Sequence, residues 1–142
     1  MTELDILMLQ AQNNQSTGAY QIALAFSVWV AFRVSSVVGS DYSDNIAAKI
    51  AGTAFGLSTL FFFAMTYAFW DFNMQSTGHR LAVLASSGTE ISALSQAYVA
   101  NIGATTTPPA FSLIATSPVA VILQLSILAL IVTPIWMPKK AA

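Results

Sequence analysis

The chain has 142 residues, of which 56 % are apolar and 8 % charged, with a formal net charge of −1. Soluble domains carry roughly 25 % charged residues, so this chain cannot coat a water-facing surface, and lipid is its expected solvent. The charge balance supplies no basic field for nucleic acid, and the lack of cysteine excludes disulfides, thiolate metal sites and cysteine nucleophiles.

A secretory signal opens with a positive segment, whereas the only charged side chains before Tyr20 are Glu3 and Asp5. The first apolar stretch is therefore expected to be a retained transmembrane helix. Ahead of it, Thr2–Gln12 places Leu4, Leu7 and Met8 on one helical face, and reads as a short surface helix with Thr2 or Asp5 near its start.

A spanning helix needs about 20 residues to cross about 30 Å of hydrocarbon. Ala19–Val38 is the first stretch that meets this, with Gly39-Ser40-Asp41 as its stop signal. The second is Ile46–Phe69, with Ser43 or Asp44 as the expected N-cap. The third, Pro118–Met137, opens with Ser117 as cap and proline at the first helical position. Pro134 should kink or end it near its exit. Tyr20, Tyr67, Trp70 and Trp136 lie at segment ends, where interfacial aromatics sit.

Between the second and third spans, Leu81–Ile102 repeats Leu84, Ile91, Leu94, Tyr98 and Ile102 at helical spacing, opposite Ser86, Thr89, Glu90, Ser92 and Gln96. It is expected to be an amphipathic helix at the outer surface or against protein. Gly103 to Pro109 follows as a loop, because two adjacent prolines forbid a continuous helix. The tetrad Gln-Ser-Thr-Gly occurs at Gln15–Gly18 and again at Gln75–Gly78, each time before an apolar run. Ser16 or Thr17, and Ser76 or Thr77, are expected helix N-caps. Little matches beyond Ser27, which argues against an internal repeat.

The expected fold is thus an all-α, single-domain integral membrane protein with three transmembrane helices and one amphipathic helix in the long second loop. The alternative counts Leu81–Ile102 as a fourth crossing. Cytoplasmic loops are enriched in lysine and arginine. Three crossings with the N-terminus outside put Arg33, Lys49, Lys139 and Lys140 inside and only Arg80 outside. Four crossings put Arg80, Lys139 and Lys140 inside and Arg33 and Lys49 outside, a weaker bias. A carboxylate such as Glu90 at a helix centre also costs about 2.5–3.5 kcal/mol.

Several residues stand out as candidates. Arg33 falls within the first span and is read as snorkelling to the inner headgroups, with an ion pair to a partner helix as the alternative. Asp71, His79 and Arg80 flank the exit of the second span; one histidine without cysteine does not make a complete transition-metal site. Glu90 is a solvated side chain in a surface helix or an ion-pair candidate in a span. Ala48, Gly52 and Gly56 put small residues on one face and predict close helix packing, within the chain or against a partner. Phe61-Phe62-Phe63 and Phe69-Trp70 are expected to face lipid or a neighbour, and bound pigment or quinone shared with a partner fits the same composition.

No phosphate-binding glycine loop, HExxH sequence or histidine pair for haem occurs. These absences argue against an enzyme acting alone, though not against a subunit of a membrane enzyme complex. The expected role is a small non-catalytic accessory subunit packing against other integral membrane subunits and lipid. The alternative is a homo-oligomeric channel or transporter lined by Ser58, Thr59, Thr66, Gln124 and Ser126.

Overall fold

The computed structural model describes residues 1–115 and 117–137, and the expected inside pair Lys139-Lys140 lies outside them. The described residues are all-helical, without strands: α1 Glu3–Asp41, α2 Ile46–Ser86, α3 Ala93–Ile102 and α4 Pro118–Trp136. α1, α2 and α4 are long and apolar enough to cross a membrane. α3, at 10 residues, reaches only about 15 Å, half of the hydrocarbon thickness.

The helix boundaries depart from expectation in two ways, each with a local cause. First, Thr2–Gln12 is the beginning of α1 and no separate helix. Thr2 and Asp5 form a reciprocal cap: Thr2 N–H donates to Asp5 Oδ2 at 2.8 Å, and Asp5 N–H donates to Thr2 Oγ1 at 3.3 Å. No breaker follows before Asp41, so α1 runs for 39 residues, about 58 Å. The Gln-Ser-Thr-Gly tetrads therefore lie inside α1 and α2 and cap neither.

Second, Leu81–Ile102 is two helices with a break. Leu81–Ser86 completes α2, which extends far past Phe69. The Ser86 and Ser87 hydroxyls donate to the Val83 and Leu84 carbonyls, drawing off the last turn. Gly88 then takes φ +86°, a left-handed conformation that only glycine adopts without strain. Ser92 starts α3 by accepting from Ser95 N–H at 3.2 Å, and Gly103 ends it at φ +64°. The fourth-crossing alternative loses its helix at this break.

One further end is reassigned, and another falls close to where it is expected. The cap of α2 is Asn45, whose Oδ1 accepts from Ala48 N–H at 3.1 Å, and neither Ser43 nor Asp44. α4 passes through Pro134 and stops at Trp136, with Met137 N–H still donating to Thr133 O at 2.8 Å.

The chain divides into two compact units. The first comprises Met1–Ala19 and Tyr67–Ser112. Its core is Ile6, Leu81 and Ile91, with Leu84, Tyr98 and Val99 packed against them. Ile6 is buried, whereas Leu4, Leu7 and Met8, which share one helical face, are exposed. The second comprises Tyr20–Thr66 and Leu113–Ala142. Its core is Val28 and Ala31 of α1 with Ile127 and Ile131 of α4, flanked by Phe32, Leu60 and Phe63.

In the second unit the helices approach closely where side chains are smallest. A Cβ on Gly39 would fall 2.1 Å from Pro134 O, so α1 touches the α4 backbone there. One on Gly56 would fall 2.3 Å from Ile131 Cγ2. One on Gly52 would make ordinary contact with Val38 and Ile135 at 3.4 and 3.5 Å. Buried Ser35 adds a hydroxyl bond to Ile131 O across the α1–α4 contact. Trp136 Nε1 donates to Thr53 Oγ1 at 2.9 Å, and Lys49 Nζ lies 5.5 Å from the Trp136 ring centre, a cation–π distance. These contacts bring the C-terminal end of α4 beside the N-terminal turns of α2.

Candidate functional site

The polar chemistry of the first unit gathers around α3. The four leading N–H groups of a helix lack intrahelical partners and carry partial positive charge. Glu3 reaches this end of α3. Its Oε2 accepts from Ser92 N–H at 3.0 Å, and its Oε1 accepts from the Ser92 and Ser95 hydroxyls at 2.5 Å each. The Ser92 hydroxyl, then that of Ser95 and then the Ser92 amide hold the Glu3 carboxyl below its ordinary range. Glu3 precedes the apolar Ala19–Val38 stretch of α1, as does Asp5, whose carboxyl is lowered by the Thr2 amide and hydroxyl.

Two turns further along α1, Gln10 Nε2 donates to Tyr98 OH at 3.0 Å and lies 3.3 Å from Met74 Sδ. Tyr98 OH in turn donates to Met74 O at 3.0 Å. Burial pushes the Tyr98 phenol up, and the Gln10 hydrogen bond opposes it. Asn14, one turn beyond Gln10, has a buried Oδ1 without a partner among the described residues.

Asp71, Gln75 and His79 recur every four residues on α2, so they share one face. They line a cleft of about 310 Å³ with Met74, Ile102 and the Gly103–Pro109 segment. Gln75 Nε2 donates to Asp71 Oδ2 at 2.9 Å. His79 Nδ1 is 3.0 Å from Thr105 O. A carbonyl only accepts, so Nδ1 carries the proton and Nε2 of the neutral ring is an acceptor. The cleft thus offers hydrogen-bonding groups of both kinds. No group of three His, Cys, Asp or Glu side chains able to hold a metal occurs among the described residues.

The structure brings Asp71 and His79 together and disperses the other candidates. Arg80 does not line that cleft; it shares with His79 a second depression, lined also by Met1, Ile6 and Val83. Glu90 lies exposed in the α2–α3 connection and on no helix. Arg33 belongs to the second unit, at the edge of a groove between α1 and α2. Ala48 and Gly52 line that same groove, while Gly56 is buried against Ile131. Of the residues offered as pore lining, Thr66 and Ser126 donate their hydroxyls back to Phe62 O and Ile122 O, and Thr59 is buried.

Sequence reading passed over Glu3, Gln10 and Ser95. Ser92-Ala-Leu-Ser95 is a legible helix start, but nothing in the sequence links it to a carboxylate 89 positions earlier. Compared with known proteins, the chain matches no family model, no curated protein and no solved structure.

Proposed function

We propose that this chain is a non-catalytic accessory subunit of a larger integral membrane complex, packing against other membrane subunits and stabilising their assembly. The observation that carries the reading is how little the long helices cover one another. The most apolar windows of α1, α2 and α4 are 22 %, 17 % and 22 % buried within the chain. Most of each helix is therefore offered to lipid or to other chains. The offered surface includes Tyr20, Phe26, Trp29, Phe55, Phe61 and Phe62. Phe26 and Trp29 stack at 5.7 Å. Aromatic side chains bring large contact area at low entropic cost, and they are enriched at protein interfaces.

In this reading the chain has no catalytic residue of its own, and the polar contacts of Glu3, Gln10 and Tyr98 hold α3 in place. Its N-terminus is outside, and the α1–α2 turn and Lys139-Lys140 are inside. Native purification under mild detergent, with the associated chains identified by mass, tests the proposal. Stoichiometric membrane partners are expected. Recovery of the chain alone, together with solute flux after reconstitution into liposomes, would replace it with the channel reading.

A further inference from the structure

Within the first unit, the cleft between α2 and the Gly103–Pro109 segment has a polar wall of regular spacing. Asp71, Gln75 and His79 are half-buried and follow one another at four-residue intervals, about 6 Å of helix rise per step. Gln75 donates one amide N–H to Asp71 Oδ2, which draws its side chain to the carboxylate and leaves its Oε1 an acceptor. His79 gives its ring proton to Thr105 O, so its Nε2 accepts. The wall therefore carries an anionic acceptor group at Asp71 with Gln75 and a neutral one at His79, about 6–12 Å apart along the helix. Met74, Ile102, Ala104 and Pro109 add hydrocarbon to the lining. Among the described residues, no lysine or arginine lines this cleft.

We propose that this cleft binds a linear aliphatic diamine, with one ammonium on Asp71 and Gln75 Oε1 and the other on His79 Nε2. Three observations carry it. The only formal charge in the lining is a carboxylate, so the complementary ligand is a cation whose N–H groups make charge-assisted hydrogen bonds. The acceptors are too widely spread to converge on one metal ion, which needs ligand atoms within about 2–2.6 Å. They suit donors on separate atoms of an extended molecule, and a chain of four or five methylenes separates two ammonium groups by a comparable distance while its carbons match the apolar lining. The cleft holds about 310 Å³, roughly ten waters at about 30 Å³ each, which is room for such a chain. The inference goes beyond the accessory-subunit reading and does not depend on it, because it concerns only α2 and the Gly103–Pro109 segment.

Isothermal titration calorimetry of the full chain in a non-ionic detergent tests it, with 1,4-diaminobutane and 1-aminobutane as probes. The diamine should bind once per chain and about tenfold more tightly than the monoamine, the effect expected of a second charge-assisted hydrogen bond. His79→Leu should erase that advantage and leave monoamine binding as it was. His79→Gln, which keeps an acceptor, should retain part of the advantage. Asp71→Asn should weaken both amines by about tenfold or more, and an unchanged circular dichroism spectrum would show that the fold of each variant is intact. Equal affinity for the two amines would overturn the proposal in favour of a single-ammonium occupant, such as a lysine side chain of another subunit. An undiminished advantage in His79→Leu, or no heat of binding with the diamine, would overturn it as well.

Discussion

Gly18 and Gly78 occupy the same place in a repeated tetrad, yet their surroundings differ completely. A Cβ on Gly18 would meet nothing within 4 Å. One on Gly78 would fall 2.3 Å from Ile102 Cδ1 and 2.8 Å from Ala104 Cβ. Neither glycine has positive φ, so alanine is conformationally acceptable at both. Gly18→Ala should stabilise the protein by about 0.5–1 kcal/mol through helix propensity. Gly78→Ala should destabilise it by about 1–3 kcal/mol through overpacking against the end of α3. Thermal unfolding of the two variants in detergent checks this, and equal shifts would refute the packing argument. The tetrad is thus a recurrence of letters at helical positions: its threonine is buried in both copies, and only the glycine of the second is hemmed in by a neighbour.

At the scale of the element, α3 depends on a carboxylate borrowed from α1. The Glu3 carboxyl is lowered in the folded protein, so the sign of its pH effect is fixed. Its stabilisation is complete above the ordinary carboxylate pKa and is lost as pH falls through the lowered folded value. Protection of the Ser92–Ser95 amides, corrected for the intrinsic slowing of exchange in acid, should fall on acidification across that window. Glu3→Gln should exchange faster at neutral pH and respond less to acid. A wild-type profile flat with pH would show that the carboxylate contributes nothing to α3. The second element-scale test concerns α2 against α4. Gly56 has no room for a side chain beside Ile131. Gly56→Leu should therefore force these helices apart at a cost of about 1–3 kcal/mol. Membrane insertion should persist, with a lower melting temperature and faster proteolysis. Unchanged stability would mean that the α2–α4 contact tolerates separation.

For the whole molecule, the prediction is orientation. On the proposed orientation, drawn from the lysine and arginine bias, the α1–α2 turn is expected inside and the N-terminus outside. Lys49 and the Trp136 end of α4 lie together in the second unit, so the same assignment puts the end of α4 inside. The chain contains no cysteine, which makes single-cysteine labelling clean. A cysteine at exposed Thr2 should react with an impermeant reagent added outside, and one at exposed Asp44 only after permeabilisation. The reverse pattern would invert the orientation. Labelling of both from outside would contradict an uninterrupted α1 span.

Composition and hydropathy by themselves determined an apolar chain with three helices long and apolar enough to span a membrane. Both follow from summed transfer energies, which depend little on what each residue touches. Gly103 and Pro118 likewise declared their helix ends locally, through backbone conformation, although the Ser117 side chain makes no capping hydrogen bond. Tertiary structure decided the rest. The polar halves of α1 and α2 carry no breaker, so neither helix stops where its apolar stretch does. Leu81–Ile102 kept a helical period in its letters although Gly88 divides it, because periodicity does not register a single left-handed residue. Glu3 meets Ser92 and Ser95, and Gln10 meets Tyr98, across separations of more than eighty positions. Hydrogen bonds of that reach exist only once the helices have packed. Arg33 was legible as an oddity in an apolar run, but the groove between α1 and α2 beside it was not. Its shape comes from valines on one helix facing alanines and glycine on another, a relation that no single segment contains.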